Sequence, residues 1–446
     1  MKRILAALMV IFGFIVYGHG YAAGAEKMGL NHQFLNGYIK LGGQYVLRQE
    51  MRSNYYTQDG GAQTSHDFLT SRVRLATNIN PTGDMGLFFM LTDTRDYYSR
   101  TPQQHPDLIP FAYNHPMDIQ QCYAYFEPKD LPISFWGGRR EVIYLKERLI
   151  GTSIGWTTKV ITYDGATLSF KRDKLKFDLL YLNKVIPIET NYPFSHKLDE
   201  REYFNDGWFG GPADLYGFWL TSKEIYPRGN IETYGLYDDR DNGNNSYTFG
   251  LRAYGKAGGF DYDINGTLQF GTFNDQDRKA GAVYLEAGHT FGTEWKPRLG
   301  VEYNFASGDG DPNDDEYNTF DDLYACVHGR YGIMEFFRWR NMHEININAT
   351  AWPHKDVKAS ARFHSFWLAE TQDVWYNTYN KIQRLDPSGR ARSFVGNELD
   401  IILQYKFLKY FTAIAFYGHF FPGGYVADTG ESKDADYTYF ELRYEF

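Results

Sequence analysis

The chain has 446 residues, a formal net charge of −9 and a mean hydropathy of −0.51, which excludes the basic surface a nucleic-acid partner requires. Aromatic residues make up 18%, led by 37 Tyr and 34 Phe, more than a polar soluble enzyme needs. Strands that alternate between lipid and water, with aromatic girdles at both interfaces, account for such a composition.

The N-terminus reads as an export signal. Lys2 and Arg3 precede an apolar run from Ile4 to Val16, and Ala23-Gly24-Ala25 offers a small-residue cleavage site. Residues 1–25 are expected to be removed, leaving 26–446 as one barrel domain. The rival reading, a retained anchor, has too short an apolar run to span comfortably. Loss of Lys2 and Arg3 takes the formal charge from −9 to −11. No later segment approaches eighteen continuous apolar residues, so no helical membrane domain is expected.

Alternation with a period of two then recurs along the chain, which places successive side chains on opposite faces of a strand. It covers Phe68 to Ile79, Thr167 to Lys171, Lys174 to Lys184, Thr248 to Lys256 and Phe260 to Gly271. It resumes at Pro297 to Ala306, Glu344 to Thr350, Val357 to Leu368, Gly396 to Phe407 and Tyr437 to Phe446. In the strand from Phe260, the residues Phe260, Tyr262, Ile264, Leu268 and Phe270 share one face, while Asp261, Asp263, Asn265, Thr267 and Gln269 share the other. At the C-terminus Phe440, Leu442, Tyr444 and Phe446 oppose Glu441, Arg443 and Glu445. Short turns such as Asn80-Pro81-Thr82-Gly83-Asp84 and Ala257-Gly258-Gly259 alternate with long irregular segments at Arg100 to Pro116, Ile186 to Pro212, Ala306 to Val327 and Glu370 to Ser393. Short periplasmic turns and long outer loops are the asymmetry of outer-membrane barrels. The expected fold is all-β: a single transmembrane antiparallel β-barrel of about 18 strands, wide enough for an aqueous channel.

With each aromatic face turned outward, an inward set remains: Arg72, Arg74, Arg252, Arg298, Arg362 and Arg443, with Lys358 and His364. Acids share the lumen at Asp261, Asp263, Glu302, Glu398, Asp400 and Glu441. Cross-strand pairing would simply hydrate the wall, whereas a ring of arginines would favour anions. Cys122 and Cys326 lie in unrelated contexts and are expected as isolated thiols. The acidic run from Asp309 to Glu316 fails as an EF-hand, because Asp314 stands at the sixth position and Phe320 at the twelfth. A looser surface calcium site at Asp309, Asp311 and Asp314 stays open; no other cofactor is expected.

The segment Gly137-Gly138-Arg139-Arg140-Glu141, then Glu147-Arg148-Leu149-Ile150-Gly151, Trp156 and Asp164-Gly165-Ala166, resembles the alginate export family of outer-membrane porins. The resemblance continues through Ala306 to Asp309, Thr319 to Tyr324, Gly396 to Gln404 and Tyr417 to Pro422. It implies a Gram-negative outer-membrane porin, monomeric among lipid and lipopolysaccharide. Its lumenal cations would pass an anionic carbohydrate or small anions. Carried over, Arg139, Glu141 and Arg148 join the pore-lining set, and Arg140 stands where the family has Gln. A general nutrient porin is the alternative. A barrel-embedded hydrolase would need a nucleophile beside a base; His364 and Ser365 are neighbours but point to opposite faces. A plugged transporter would need an N-terminal domain, and strands begin near Leu35. The segment from Arg139 to Gly151 is expected at the narrowest part of the lumen or at its rim, since charges on the lipid face cost about 2–4 kcal/mol at mid-membrane.

Overall fold

The computed structural model describes residues 30–56, 62–99, 115–152, 161–185, 213–226, 229–240, 243–326, 328–378, 380 and 382–446. The expected signal peptide, the loops at 100–114 and 186–212, and Trp156 lie outside them. Eighteen strands form the wall. They are β1 (Ile39–Tyr56), β2 (Gln63–Ile79), β3 (Met85–Ser99), β4 (His115–Phe126), β5 (Ile133–Arg140), β6 (Thr162–Arg172), β7 (Leu175–Val185), β8 (Ala213–Tyr226) and β9 (Gly229–Arg240). There follow β10 (Asn245–Ala257), β11 (Phe260–Phe273), β12 (Gln276–Thr290), β13 (Arg298–Ala306), β14 (Met342–His354), β15 (Val357–Trp367), β16 (Phe394–Phe407), β17 (Phe411–Pro422) and β18 (Ala435–Glu445). Each pairs antiparallel with the next, and β18 returns to β1 with Glu445 opposite Gln44 and Asp436 opposite Ser53. The sheet is therefore closed.

The two faces follow the alternation in the sequence. On β11, Ile264, Leu268 and Phe270 are exposed on the outer surface, whereas Asp263, Asn265, Thr267 and Gln269 are buried in the lumen. On β18, Phe440 and Leu442 point out while Tyr437, Tyr439, Glu441 and Arg443 point in. Leu268→Arg would place a charge on the outer apolar band, at a cost of about 2–4 kcal/mol if at mid-membrane. Urea titration of the protein in vesicles is expected to show that loss.

The interior is not an open pipe. Buried aromatics from the 307–341 segment, Phe336, Phe337 and Trp339, pack with Phe366, Trp375, Phe420 and Tyr425 inside the wall. Phe337 stacks on Phe366 with centroids 3.8 Å apart. A short helix, α1 (Gly424–Thr429), contributes Tyr425 and Val426 to this inner core. The long segments read as outer loops at 306–327 and 370–393 thus turn at least partly inward. Their apolar residues have no lipid to face and are buried against one another instead.

Candidate functional site

The strand that begins the site is short. β5 has eight residues, the fewest of the eighteen, and carries the glycine pair Gly137-Gly138 just before its last two residues, Arg139 and Arg140. Gly138 has φ +125°, and a Cβ there would lie 2.5 Å from the Cys122 carbonyl oxygen, so only glycine fits. Beside it β4 carries a bulge: Met90 faces Gln121 while Leu91 faces Ile119. The extra residue turns both Gln120 and Gln121 inward. Gln120 donates to the Glu141 carboxylate, and the Glu141 N–H donates to Gln121 Oε1 at 3.2 Å. Glu141 is thereby fixed as the chain leaves the wall, 3.8 Å from Arg74.

Residues 141–152 then cross the lumen. Leu145, Lys146 and Glu147 are consecutive left-handed residues with φ of 51°, 52° and 67°. Each costs roughly 1–2 kcal/mol, offset by burial of Leu145, Leu149 and Ile150. The turn drives Lys146 between Asp263 and Glu286 on β11 and β12. Arg148 reaches β13, eight strands from β5 in a ring of eighteen. There it donates to Glu302, to Asn304 Oδ1 at 3.1 Å and to the Tyr331 hydroxyl at 2.7 Å, and its guanidinium lies 4.3 Å from the Tyr284 ring centre.

The 307–341 segment meets this crossing strap edge to edge. Gly151 N–H donates to Tyr324 O at 2.9 Å, Tyr324 N–H to Leu149 O at 2.9 Å, and Cys326 N–H to Glu147 O at 2.8 Å. Farther on, Ile333 N–H donates to Asp400 Oδ2 at 3.1 Å and Met334 N–H to Glu398 Oε1 at 2.9 Å. Gly332, with φ +83°, makes the close approach possible, because a Cβ would lie 2.4 Å from the Glu398 carboxylate. Burial alone would raise the Asp321 carboxyl, yet the guanidinium groups of Arg240, Arg340, Arg278 and Arg338 hold it well below the usual range.

The expected pore residues separate into groups. Arg72, Arg74 and Arg443 point inward on adjacent strands with Arg48 and Arg52. Arg252 and Arg298 line the opposite wall, held by Asp263 and Asp261 at 2.6 and 2.5 Å. Arg140 turns inward over Tyr123 and Trp136, at 4.8 and 5.2 Å from their ring centres. Arg362 points inward and is capped by Gly329 O.

Three expectations need correction. Arg139 faces outward: it sits opposite exposed Cys122 and pairs with Asp164 at 2.8 Å, and Asp164 shares the face of Leu168 and Phe170. The phase of β5 puts it there, with Trp136 on the inner side. Glu398 and Asp400 are inward but fully buried, because the 307–341 segment covers them. Arg148 anchors the crossing strap to Glu302, Asn304 and Tyr331 and is 2% exposed; Arg72 and Arg74, at 3% and 1%, are as deeply buried and act on the lumen through their field, not by lining open water. Arg139→Ala is therefore expected to leave conductance and ion selectivity unchanged in planar bilayers.

Sequence reading missed Lys146, Arg48, Arg52, Arg338 and Arg340. Arg48 and Arg52 carried a signal, the alternation of Gln44, Val46, Arg48, Glu50 and Arg52 with Tyr45, Leu47, Gln49 and Met51. The others sit on irregular chain without period. Carboxylates of the Asp309 loop turn to its own backbone: Asp311 N–H donates to Asp309 Oδ1 at 3.2 Å and Glu316 N–H to Asp314 Oδ1 at 2.8 Å. Among the described residues no three His, Cys, Asp or Glu side chains converge as metal ligands. His364 lies between Glu344 (2.5 Å) and Asp400 (3.5 Å), while Ser365, on the other face, donates to Asn397 at 2.7 Å. Neither Cys122 nor Cys326 forms a disulfide among the described residues.

The sequence pattern named alginate export runs through residues 37–440. The chain belongs to the alginate export family. No curated protein matches it at a significant level. Among solved structures the chain is similar to Pseudomonas aeruginosa OccK11 (OpdR), at 14% identity and a TM-score of 0.56, over 91% of this chain and 96% of that one. It is also similar to the P. aeruginosa outer membrane protein OpdK, at 10% identity and a TM-score of 0.60, over 91% and 98%. Acinetobacter baumannii OccAB4 matches at 10% identity and a TM-score of 0.58, over 91% and 98%. At these identities the fold is what is shared. The chain forms an outer-membrane channel.

Proposed function

We propose that the channel passes anionic solutes, with an anionic polysaccharide of the alginate type as one substrate class. The observation that supports this is the arginine wall of β1, β2 and β18. Arg48, Arg52, Arg72, Arg74 and Arg443 face inward there; the wall itself supplies three carboxylates, Glu50, Glu441 and Glu445, and the inner segments bring two more, Glu335 at 3.3 Å from Arg52 and Glu141 at 3.8 Å from Arg74. Carboxylates are shared: Glu50 serves Arg48 at 2.8 Å and Arg52 at 3.0 Å, and Glu441 serves Arg48 at 3.3 Å and Arg443 at 2.5 Å. Arg72 and Arg74 both donate to the neutral Gln44 amide oxygen, at 3.1 and 2.6 Å. Fixed guanidinium groups in a low-dielectric wall raise the local concentration of anions.

A second reading, a porin for small anionic nutrients, draws on the inner segments, which leave little room for a wide polymer. The fold relative OpdK has a structure with vanillate. Reversal potentials across a potassium chloride gradient test the shared claim. Chloride should permeate better than potassium, and replacing Arg48, Arg72 and Arg443 together by glutamine should lower that ratio. A cation-selective wild-type channel would overturn the proposal. Current block by alginate oligomers, against block by small carboxylates alone, separates the two substrate classes.

A further inference from the structure

Beneath the crossing strap, toward the short-turn end of the barrel, lies a cavity of about 700 Å³, within the range of small-ligand sites. Lys146 forms its roof. Arg298, the first residue of β13, and Asp261 with Lys256, beside the Ala257-Gly258-Gly259 turn, form its mouth. The lining charges balance, with two lysines and two arginines against two aspartates and two glutamates.

Six of these eight charges are committed to one another; Glu224 pairs instead with Lys174 at 2.9 Å, outside the lining, and Lys256 stands opposite Asp261 in the ladder at the mouth. Arg252 grips Asp263 with two bonds, of 2.7 and 2.6 Å, and Glu232 with a third of 3.0 Å. Arg298 does the same to Asp261, at 3.0 and 2.5 Å, and adds Glu286 at 3.0 Å. Lys146 bridges Asp263 and Glu286. Past Lys256 at the mouth, among Arg252, Arg298, Lys146 and their carboxylates, an entering anion would have to displace a carboxylate from its cation, and an entering cation would have to do the reverse. Hydroxyl groups need do neither. A carboxylate offers about four lone-pair sites and an ammonium three N–H groups, so paired heads keep spare acceptors and donors. Asn230 adds an amide, and Tyr254, its ring centre 4.1 Å from the Arg252 guanidinium, adds a flat face.

We infer that this vestibule is a binding subsite for an uncharged, hydroxyl-rich solute, a sugar of one or two rings, reached from the periplasmic side. The assignment does not depend on whether the arginine wall selects anions, since reversal potentials read the wall and sugar block reads the vestibule.

The test uses the full-length protein in planar bilayers, with sucrose or glucuronate added to one side at a time. Sucrose on the periplasmic side is expected to interrupt the current in a saturable way, with a half-saturation concentration unchanged between low and high salt. Lys146→Met, which leaves Asp263 and Glu286 their arginines, should raise that concentration about tenfold, the loss of one hydrogen bond from a charged donor. Sucrose without saturable block, equal block from both sides, stronger saturable block by glucuronate, or an unchanged K146M would each overturn the inference. Should K146M fail to assemble, the side and salt dependence of the wild-type block decides alone.

Discussion

Replacing Glu398 and Asp400 together by alanine is expected to raise single-channel conductance and make the open current noisy. These carboxylates accept the backbone N–H groups of Met334 and Ile333, at 2.9 and 3.1 Å, and hold the 307–341 segment against β16. A buried N–H left without an acceptor costs about 1–3 kcal/mol. Two such losses shift the balance between docked and released segment by at least about tenfold. His364, left with Glu344 as its one carboxylate partner, loosens the same wall further. The control is Glu398→Gln with Asp400→Asn, which keeps a carbonyl oxygen at each position. If docking depends on the hydrogen bonds, that pair conducts like the wild type. Wild-type conductance in the alanine pair would mean that the aromatic packing of Phe336, Phe337 and Trp339 holds the segment unaided.

Arg148→Met should have the second large effect, on both stability and selectivity. Arg148 is buried and satisfies Glu302, Asn304 and Tyr331 at once. Methionine fills much of the volume between Tyr284 and Trp339 but leaves Glu302 without its cation. Breaking a buried pair from one side costs about 3–5 kcal/mol. The strap loses its far anchor, and an uncompensated carboxylate faces the lumen. Thermal unfolding should move to lower temperature, and the permeability ratio should shift toward potassium. Arg148→Lys is not conservative here, because one ammonium cannot reach three acceptors in the plane a guanidinium spans.

These residues also show how far the sequence could be read. The wall was legible because a strand repeats every two residues. Phe260 to Gly271 and Tyr437 to Phe446 each put their apolar set outside and their charged set inside, as the alternation requires. The same rule, applied to β1, would have found Arg48 and Arg52. It misled at Arg139, where a charged residue was assumed to avoid the outer face; the phase set by Phe135 outside and Trp136 inside carries Arg139 outward to Asp164. Irregular chain has no phase to read. Lys146 takes its place from a left-handed turn and from a barrel diameter that lets a strap reach β11, and neither is written in residues 141–152 themselves. The burial of Glu398 and Asp400 likewise depends on a segment more than fifty residues earlier in the chain.

The pairing that shuts the barrel joins the two ends of the chain: the Gln44 side chain donates to Glu445 across 401 positions of sequence, at 2.7 Å. Such a contact cannot form until synthesis is complete, so the ring has high contact order and its closure comes late. Until β18 arrives, β1 and β17 each present an open row of backbone donors and acceptors, which hydrocarbon cannot satisfy. A chain cut before Ala435 would thus not be a slightly smaller channel. It would be an open sheet prone to pairing with other chains, and would fail at assembly before transport could begin.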